Sequence, residues 1–395
     1  MSAAAESMRA KSADGLPAYA MLSVIATAGF FYVNIMAAIV DGLVTGLGFT
    51  NAQAGFVGSA NIYGASAGSL IAVLIVRRVR WRPTLATLFV CLILADVAST
   101  AVHAPSWLIA LRAVHGLIGG MAVGVTYSLM ARTAAPDRAF GMLLFVQYTL
   151  GGLGVMYLPK LVPEYGTGVL FMAMAALTMV ALTFTLMLHD VSRHRNGALQ
   201  NTRPTRESRL IVILTLAAMF LFQCGNMALA AFILRVGEVA GLARDFASTS
   251  LGWATWIGSL GAVAVMVLGT RHGRARPLLT GILASAICSA AFFWAGNALV
   301  YFAANVGSGI AWAFVVPYVF GMAAQLDTSG QLTTLAGLVS KLGLASGPLA
   351  AGLIAAGNDF TVLIAAATCT VLLCAAVALP AARRLDTGRA SGGAG

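Results

Sequence analysis

The chain has 395 residues, 59% of them hydrophobic and only 9% charged, with a formal net charge of +11. Soluble domains carry about 25% charged residues, so a fold surrounded wholly by water is excluded. The basic residues cluster in short segments between apolar runs, which is the pattern of cytoplasmic loops in membrane proteins rather than of a nucleic-acid-binding face.

A membrane-crossing helix needs about 20 mainly apolar residues. Twelve are predicted, at 19–40, 53–76, 83–102, 106–131, 139–162, 167–188, 210–234, 247–270, 277–296, 298–324, 331–355 and 360–380. The expected fold is therefore an all-α membrane protein in two pseudo-symmetric six-helix bundles. The segments are a cytoplasmic tail at 1–18, a bundle at 19–188, a cytoplasmic linker at 189–209, a bundle at 210–380 and a cytoplasmic tail at 381–395. The first apolar run is too long for a signal-peptide core of 7–15 residues, and is read as a retained helix.

In the first span Asn34 is a mid-helix polar residue. Asp41 closes the span and, with Glu238 and Asp245 further on, is read as a solvated interfacial charge. The second span carries Asn61 and Gly64-Ala65-Ser66-Ala67-Gly68. This matches G-x-S-x-G, but a nucleophile elbow needs a strand-to-helix turn. Within a membrane helix the same residues satisfy G-x-x-x-G and predict close helix packing. An intramembrane enzyme using Ser66 with His103 or His115 is the rival from another class, and the expectation is that the protein is not an enzyme.

Asp96 in the third span and Arg112 in the fourth each lie about six residues from the same end of their helices. Equal depth makes an ion pair easy, and pairing lowers the cost of burying both charges. One reading is a fixed structural pair. The other is proton or substrate coupling, in which protonation of Asp96 releases Arg112. His103 and His115 are read as structural. Gln147 and Tyr148 are the polar mid-helix residues of the fifth span. Asn226 and Gln223 fall in the seventh span and Asn305 in the tenth.

In the eleventh span Lys341 lies about 10 residues in, roughly 15 Å from the end and close to the midplane. Gly337, Ser340, Gly343 and Ser346 flank it and leave room for another group to approach. An ionisable residue at that depth is functional by default, and a positive anchor for an anionic substrate is the expected role. Cys91, Cys224, Cys288, Cys369 and Cys374 all lie in apolar segments without C-x-x-C spacing, and are read as packing residues. No cofactor is expected, no metal site, and no phosphate loop of the kind that hydrolyses ATP.

With the N-terminus inside, the cytoplasmic segments hold 19 of the 24 Lys and Arg. This predicts both termini in the cytoplasm of a multi-pass inner-membrane protein. The halves repeat at an offset of roughly 193 residues. Asn34-Ile35-Met36-Ala37 echoes Asn226-Met227-Ala228-Leu229, Arg77 matches Arg271, Arg112-x-x-x-Gly116 matches Asn305-x-x-x-Gly309, and Leu150-Gly151 matches Leu342-Gly343. Parallel repeats of this kind relate the halves of many secondary transporters.

These residues resemble the major facilitator superfamily. Its loop signature G-x-L-x-D-R-x-G-R-R stands here as Ala72-Val73-Leu74-Ile75-Val76-Arg77-Arg78-Val79-Arg80-Trp81-Arg82. The copy after the eighth span keeps Leu268, Arg271, Gly273 and Arg274, with Thr270 at the Asp position. Its L-x-x-x-R-x-x-Q-G signature stands as Leu108-x-x-x-Arg112-x-x-His115-Gly116, and Gly343-x-x-x-Gly347-Pro348 is similar to its G-x-x-x-G-P pattern. The resemblance implies gating loops at Arg77, Arg80, Arg271, Gly273 and Arg274, and a central cavity lined by the helices of Asn34, Asn226 and Asn305. The expected function is secondary transport of a small organic anion by alternating access, coupled to protons. Lys341, Arg112, Asn34, Asn226, Asn305 and Tyr148 are the expected substrate contacts, and Asp96 with Arg112 the proton-coupling pair. The alternative is proton-driven efflux of amphipathic compounds. The expected partners are the substrate, the lipid bilayer and protons, with no nucleic acid and a monomeric chain.

Overall fold

A computed structural model describes residues 15–76, 78–130, 133, 136–188, 206–268, 273–326, 331–355 and 359–392. Among the described residues there are fourteen α-helices. They are α1 (Leu16–Asn34), α2 (Met36–Leu47), α3 (Asn51–Ile75), α4 (Trp81–Thr100), α5 (Pro105–Met130), α6 (Pro136–Tyr165), α7 (Gly168–Met187), α8 (Arg206–Val239), α9 (Arg244–Gly258), α10 (Leu260–Leu268), α11 (Ala275–Ala291), α12 (Ala298–Leu326), α13 (Gln331–Ile354) and α14 (Thr361–Gly392).

Eleven described helices are long and apolar enough to cross a membrane. The remaining crossing is α9 followed by α10, interrupted at Ser259. Their 15 and 9 residues would together rise about 36 Å, more than the hydrocarbon thickness of about 30 Å. The first crossing is also interrupted, at Ile35 (φ −111°, ψ 21°), so that α2 continues α1 for another 12 residues. That continuation corrects the reading of Asp41. It is only 2% exposed, because α2 stays within the bundle, where Gly42 meets Leu170 and Gly46 meets Thr167 of the α6–α7 corner.

Several connections are tight. Gly48 (φ +70°) closes α2 and Gly166 (φ +72°) joins α6 to α7, both in the left-handed region that glycine adopts without a Cβ clash. Two helices overrun their apolar stretches. At 34 residues α8 is about 51 Å long, so Glu238 stands on its last turn, paired with Arg235 and lying 3.7 Å from Arg244. Similarly, α14 does not stop near 380 but runs to Gly392.

The chain divides into two compact units, Met1–Phe49 with Ala60–Gly197, and Thr50–Ser59 with Ala198–Gly395. The first has a core built on Leu22, Ile25, Phe89, Leu92, Val125 and Leu129. The second is built on Met219, Phe222, Ile282, Val315, Met322 and Val371. Leu74, Leu94, Val267 and Ile287 turn outward, as lipid-facing residues do. In the second unit Asn51 Nδ2 donates to the Ala355 carbonyl at 2.8 Å.

The glycines explain the close helix pairs. A Cβ at Gly64 would lie 2.1 Å from the Ala113 oxygen, and one at Gly68 1.9 Å from that of Leu117. Reciprocally, Gly116 would meet the Asn61 oxygen at 1.9 Å and Gly120 that of Ala65 at 2.1 Å. Thus α3 and α5 touch backbone to backbone, as the G-x-x-x-G spacing predicts. The second unit repeats the device: Gly261 meets the Ile310 oxygen, and Gly258 packs on Gly309.

Candidate functional site

In the first unit, four helices bring a charged cluster together. Asp96 stands on α4, Arg112 and His115 one turn apart on α5, Asn61 on α3 and Tyr32 on α1. Arg112 and Asp96 are both fully buried and form an ion pair, Nη1 to Oδ1, at 2.8 Å. Arg112 Nη2 also donates to the Ala95 carbonyl at 3.0 Å and to Ser99 Oγ. Its guanidinium carbon lies 4.9 Å from the centroid of Phe171 on α7. Removing either member of such a pair strands the other charge, a loss of about 3–5 kcal/mol.

His115 belongs to the same cluster, which its reading as a structural histidine did not anticipate. Asn61 Nδ2 donates to the Arg112 carbonyl at 3.2 Å, which fixes its amide orientation. The same nitrogen lies 2.9 Å from His115 Nδ1. Nδ1 is therefore the acceptor, and Nε2 carries the proton that points at Asp96 Oδ1, 3.1 Å away. Asp96 thus receives two donors on Oδ1, while its buried Oδ2 has no hydrogen-bond partner among the described residues. The buried Tyr32 hydroxyl, whose ring centroid is 6.4 Å from that of His115, has none either. A cavity of about 340 Å³ lies at the end of the unit bearing Gly46, His103 and Gly166, and Ser99 and Phe171, which contact Arg112, are among its lining residues.

The first unit's other expected substrate contacts are Asn34 and Tyr148. Asn34 ends α1, with Gly151 of α6 packed against it and its Nδ2 buried without a partner among the described residues. Tyr148, one turn before Gly151, is half-buried. Ser66 donates to the Ile62 carbonyl at 2.9 Å and His103 Nδ1 lies 3.1 Å from the Ala101 carbonyl, so the nucleophile–base pair that the enzymatic rival needs is not formed.

The second unit has a neutral polar interior. Trp312 Nε1 on α12 donates to Gln223 Oε1 on α8 at 2.7 Å, and Gln223 Nε2 donates to Ser340 Oγ on α13 at 2.7 Å. Ser285 on α11 donates to Asn226 Oδ1, while Asn226 Nδ2 donates to the Phe222 carbonyl, both at 2.9 Å. Asn305 bonds back to the Tyr301 carbonyl within α12 at 2.9 Å. Lys341 is half-buried on α13. Nearby, a Cβ added at Gly337 would meet nothing within 4 Å, whereas Gly343 and Gly347 press on the α8 backbone at 2.7 and 2.6 Å.

At the loops, Arg77 and Arg271 lie outside the described residues. Arg80 is the exposed N-cap of α4, and Arg82 donates to the Leu188 carbonyl at the end of α7. Gly273 (φ +71°) and Arg274 meet Asp386, from the part of α14 read as a tail. Asp386 accepts from the backbone N–H groups of Arg274 and Ala275 at 2.9 Å, capping α11. Neither Asp386 nor Ser99 and Phe171 were singled out in the sequence. The i, i+3 spacing of Asp96 with Ser99, and of Arg112 with His115, is the signal that points to the larger cluster.

The structure is similar to several solved transporters. It matches the nucleoside transporter NupG with a TM-score of 0.64 at 15% identity, over 93% of this chain and 96% of that one. For a D-xylose–proton symporter the TM-score is 0.68 at 14% identity, over 90% and 96%. For the POT family transporter PepTSo it is 0.69 at 12%, over 94% and 97%. No curated protein matches by sequence. The sequence profile of the Major Facilitator Superfamily matches residues 20–338. With that match over most of the chain and a helical fold shared with these transporters, the chain belongs to the Major Facilitator Superfamily.

Proposed function

We propose that this secondary transporter moves a small organic anion, and that the transport is coupled to protons. The observation that carries the anion reading is the position of Lys341, half-buried on α13 one turn after Gly337, where an added Cβ would meet nothing within 4 Å. A cation held at mid-depth has a large electrostatic incentive to meet an anion. Asn226, Asn305, Asn34 and Tyr148 are the accompanying substrate contacts in this reading. Arg112 acts with Asp96 rather than on the substrate directly, since its guanidinium is engaged by Asp96, Ala95 and Ser99.

Proton coupling is supported by the geometry of Asp96. Its Oδ2 can take a proton while Oδ1 keeps both of its donors, and the resulting loss of negative charge loosens Arg112. Ser99 and Phe171, which contact Arg112, also line the cavity at that end of the unit. The loops with Arg80, Gly273 and Arg274 are the proposed gates, and the basic-residue asymmetry supports cytoplasmic termini in the inner membrane.

The test is uptake of radiolabelled organic acids into proteoliposomes under an imposed pH gradient. Lys341→Gln is expected to abolish uptake and Lys341→Arg to retain part of it, since the planar fork of Arg presents its donors differently from an ammonium. Near wild-type transport by Lys341→Gln removes the anion reading and favours efflux of amphipathic compounds. Uptake indifferent to the pH gradient removes the proton coupling.

A further inference from the structure

The two side-chain hydrogen-bond chains of the second unit end differently. In one, Asn226 Nδ2 donates to a backbone carbonyl, so Oδ1 is the atom that accepts from Ser285, and the single hydroxyl proton of Ser285 is spent. In the other, the indole of Trp312 can only donate. The Gln223 atom facing it is therefore Oε1, and Nε2 is left to donate to Ser340 Oγ. Ser340 is the acceptor of that bond, and its own O–H remains to be given.

Several hydroxyls in these helices return their proton to the carbonyl four residues back, as Ser66 does to Ile62, Ser99 to Ala95 and Ser346 to Leu342. Among the described residues Ser340 makes no such bond to Ala336; its oxygen is turned to Gln223 instead. Gly337 is one turn earlier and so shares a helix face with Ser340 and Lys341. A Cβ there would meet nothing within 4 Å.

We infer that Ser340 is a substrate-positioning donor: Trp312 and Gln223 turn its hydroxyl away from its own helix, so that it and Lys341 together address one carboxylate at the open face of α13. The inference rests on the anion reading and adds a specificity to it. A carboxylate presents two acceptor oxygens, one for each donor, whereas a primary amide presents one. Gln223 and Trp312 act through Ser340 and do not touch the ligand.

The test uses the full chain in proteoliposomes with a panel of radiolabelled monocarboxylates, each competed by its own primary amide. For an acid whose uptake requires Lys341, Ser340→Ala is expected to raise KM about tenfold with kcat little changed. Ser340→Thr is expected to retain most of the affinity. Gln223→Met and Trp312→Phe are expected to raise KM in the same direction, and to add little once Ser340 is Ala. Neighbours that merely pack can also be non-additive, so detergent melting is read alongside: a raised KM with unchanged melting would not follow from a packing role, and the two variants offer separate routes should one fold poorly. Unchanged KM in Ser340→Ala, with uptake still lost in Lys341→Gln, overturns the inference and leaves the anion reading standing. So do fully additive losses. If no acid in the panel moves in a Lys341-dependent way, the anion reading falls and the inference with it.

Discussion

The first unit buries charge, in the form of the Arg112–Asp96 ion pair between α5 and α4, with the neutral His115 beside it. The second buries neutral amides, an indole and hydroxyls, and keeps Lys341 half-buried near an open face. Both are built on the same scaffold of glycines that let paired helices touch, Gly64, Gly68, Gly116 and Gly120 in one unit and Gly258, Gly261 and Gly309 in the other. Close glycine packing is therefore common to both units, while the polar interior differs between them. A buried ionic cluster is intolerant of losing one member, whereas a neutral hydrogen-bond chain can lose a link for about 1 kcal/mol. In the proposed function, the first unit is the one that responds to a proton and the second the one that reads the solute.

The largest effect that tests the comparison is Arg112→Ala. It is expected to destabilise by about 3–5 kcal/mol, measured as detergent melting. Arg112→Leu combined with Asp96→Leu is expected to be milder than either single change, and additive losses would deny that the two charges interact. Next comes packing. Gly116→Ala, whose Cβ would sit 1.9 Å from the Asn61 oxygen, is expected to cost about 1–3 kcal/mol. Gly309→Ala, with its nearest contact at 3.2 Å, is expected to cost less; equal losses would deny that the available gap sets the cost. Asp386→Ala removes a helix cap and is expected to cost about 1 kcal/mol, with faster hydrogen exchange at Arg274 and Ala275. The smallest effect is Gly337→Ala, expected to leave melting unchanged or slightly raised, because the added methyl has room and Ala is the better helix former. A clear loss there would close the open face on which the reading of Lys341 depends.

The crossings were legible because hydrophobic length is a one-dimensional property. So was the Asp96–Arg112 pair, from equal depth on consecutive helices. For its third member, the i, i+3 spacing puts His115 on the same face of α5 as Arg112, but its contact with Asp96 also depends on the rotation of α5 against α4, which spacing does not give. The interruptions at Ile35 and Ser259 fall on residues that carry no breaker signal of their own. Asp41 reads as solvated in the sequence because it stands at the predicted end of the first span, while α2 carries on to Leu47. The chain Trp312–Gln223–Ser340 joins three helices far apart in sequence and leaves no trace in spacing.

Asp386 has a consequence for genetics. Hydropathy places it in a dispensable tail, so a nonsense mutation shortly before it would be scored as trimming a polar end. Such a chain keeps the last membrane crossing but loses the carboxylate that accepts from two backbone donors at the start of α11. The lesion falls on the Gly273 loop, more than 100 residues upstream of the stop codon. Truncation alleles lost before codon 386 should therefore resemble missense alleles of that loop, and alleles truncated after it should resemble wild type.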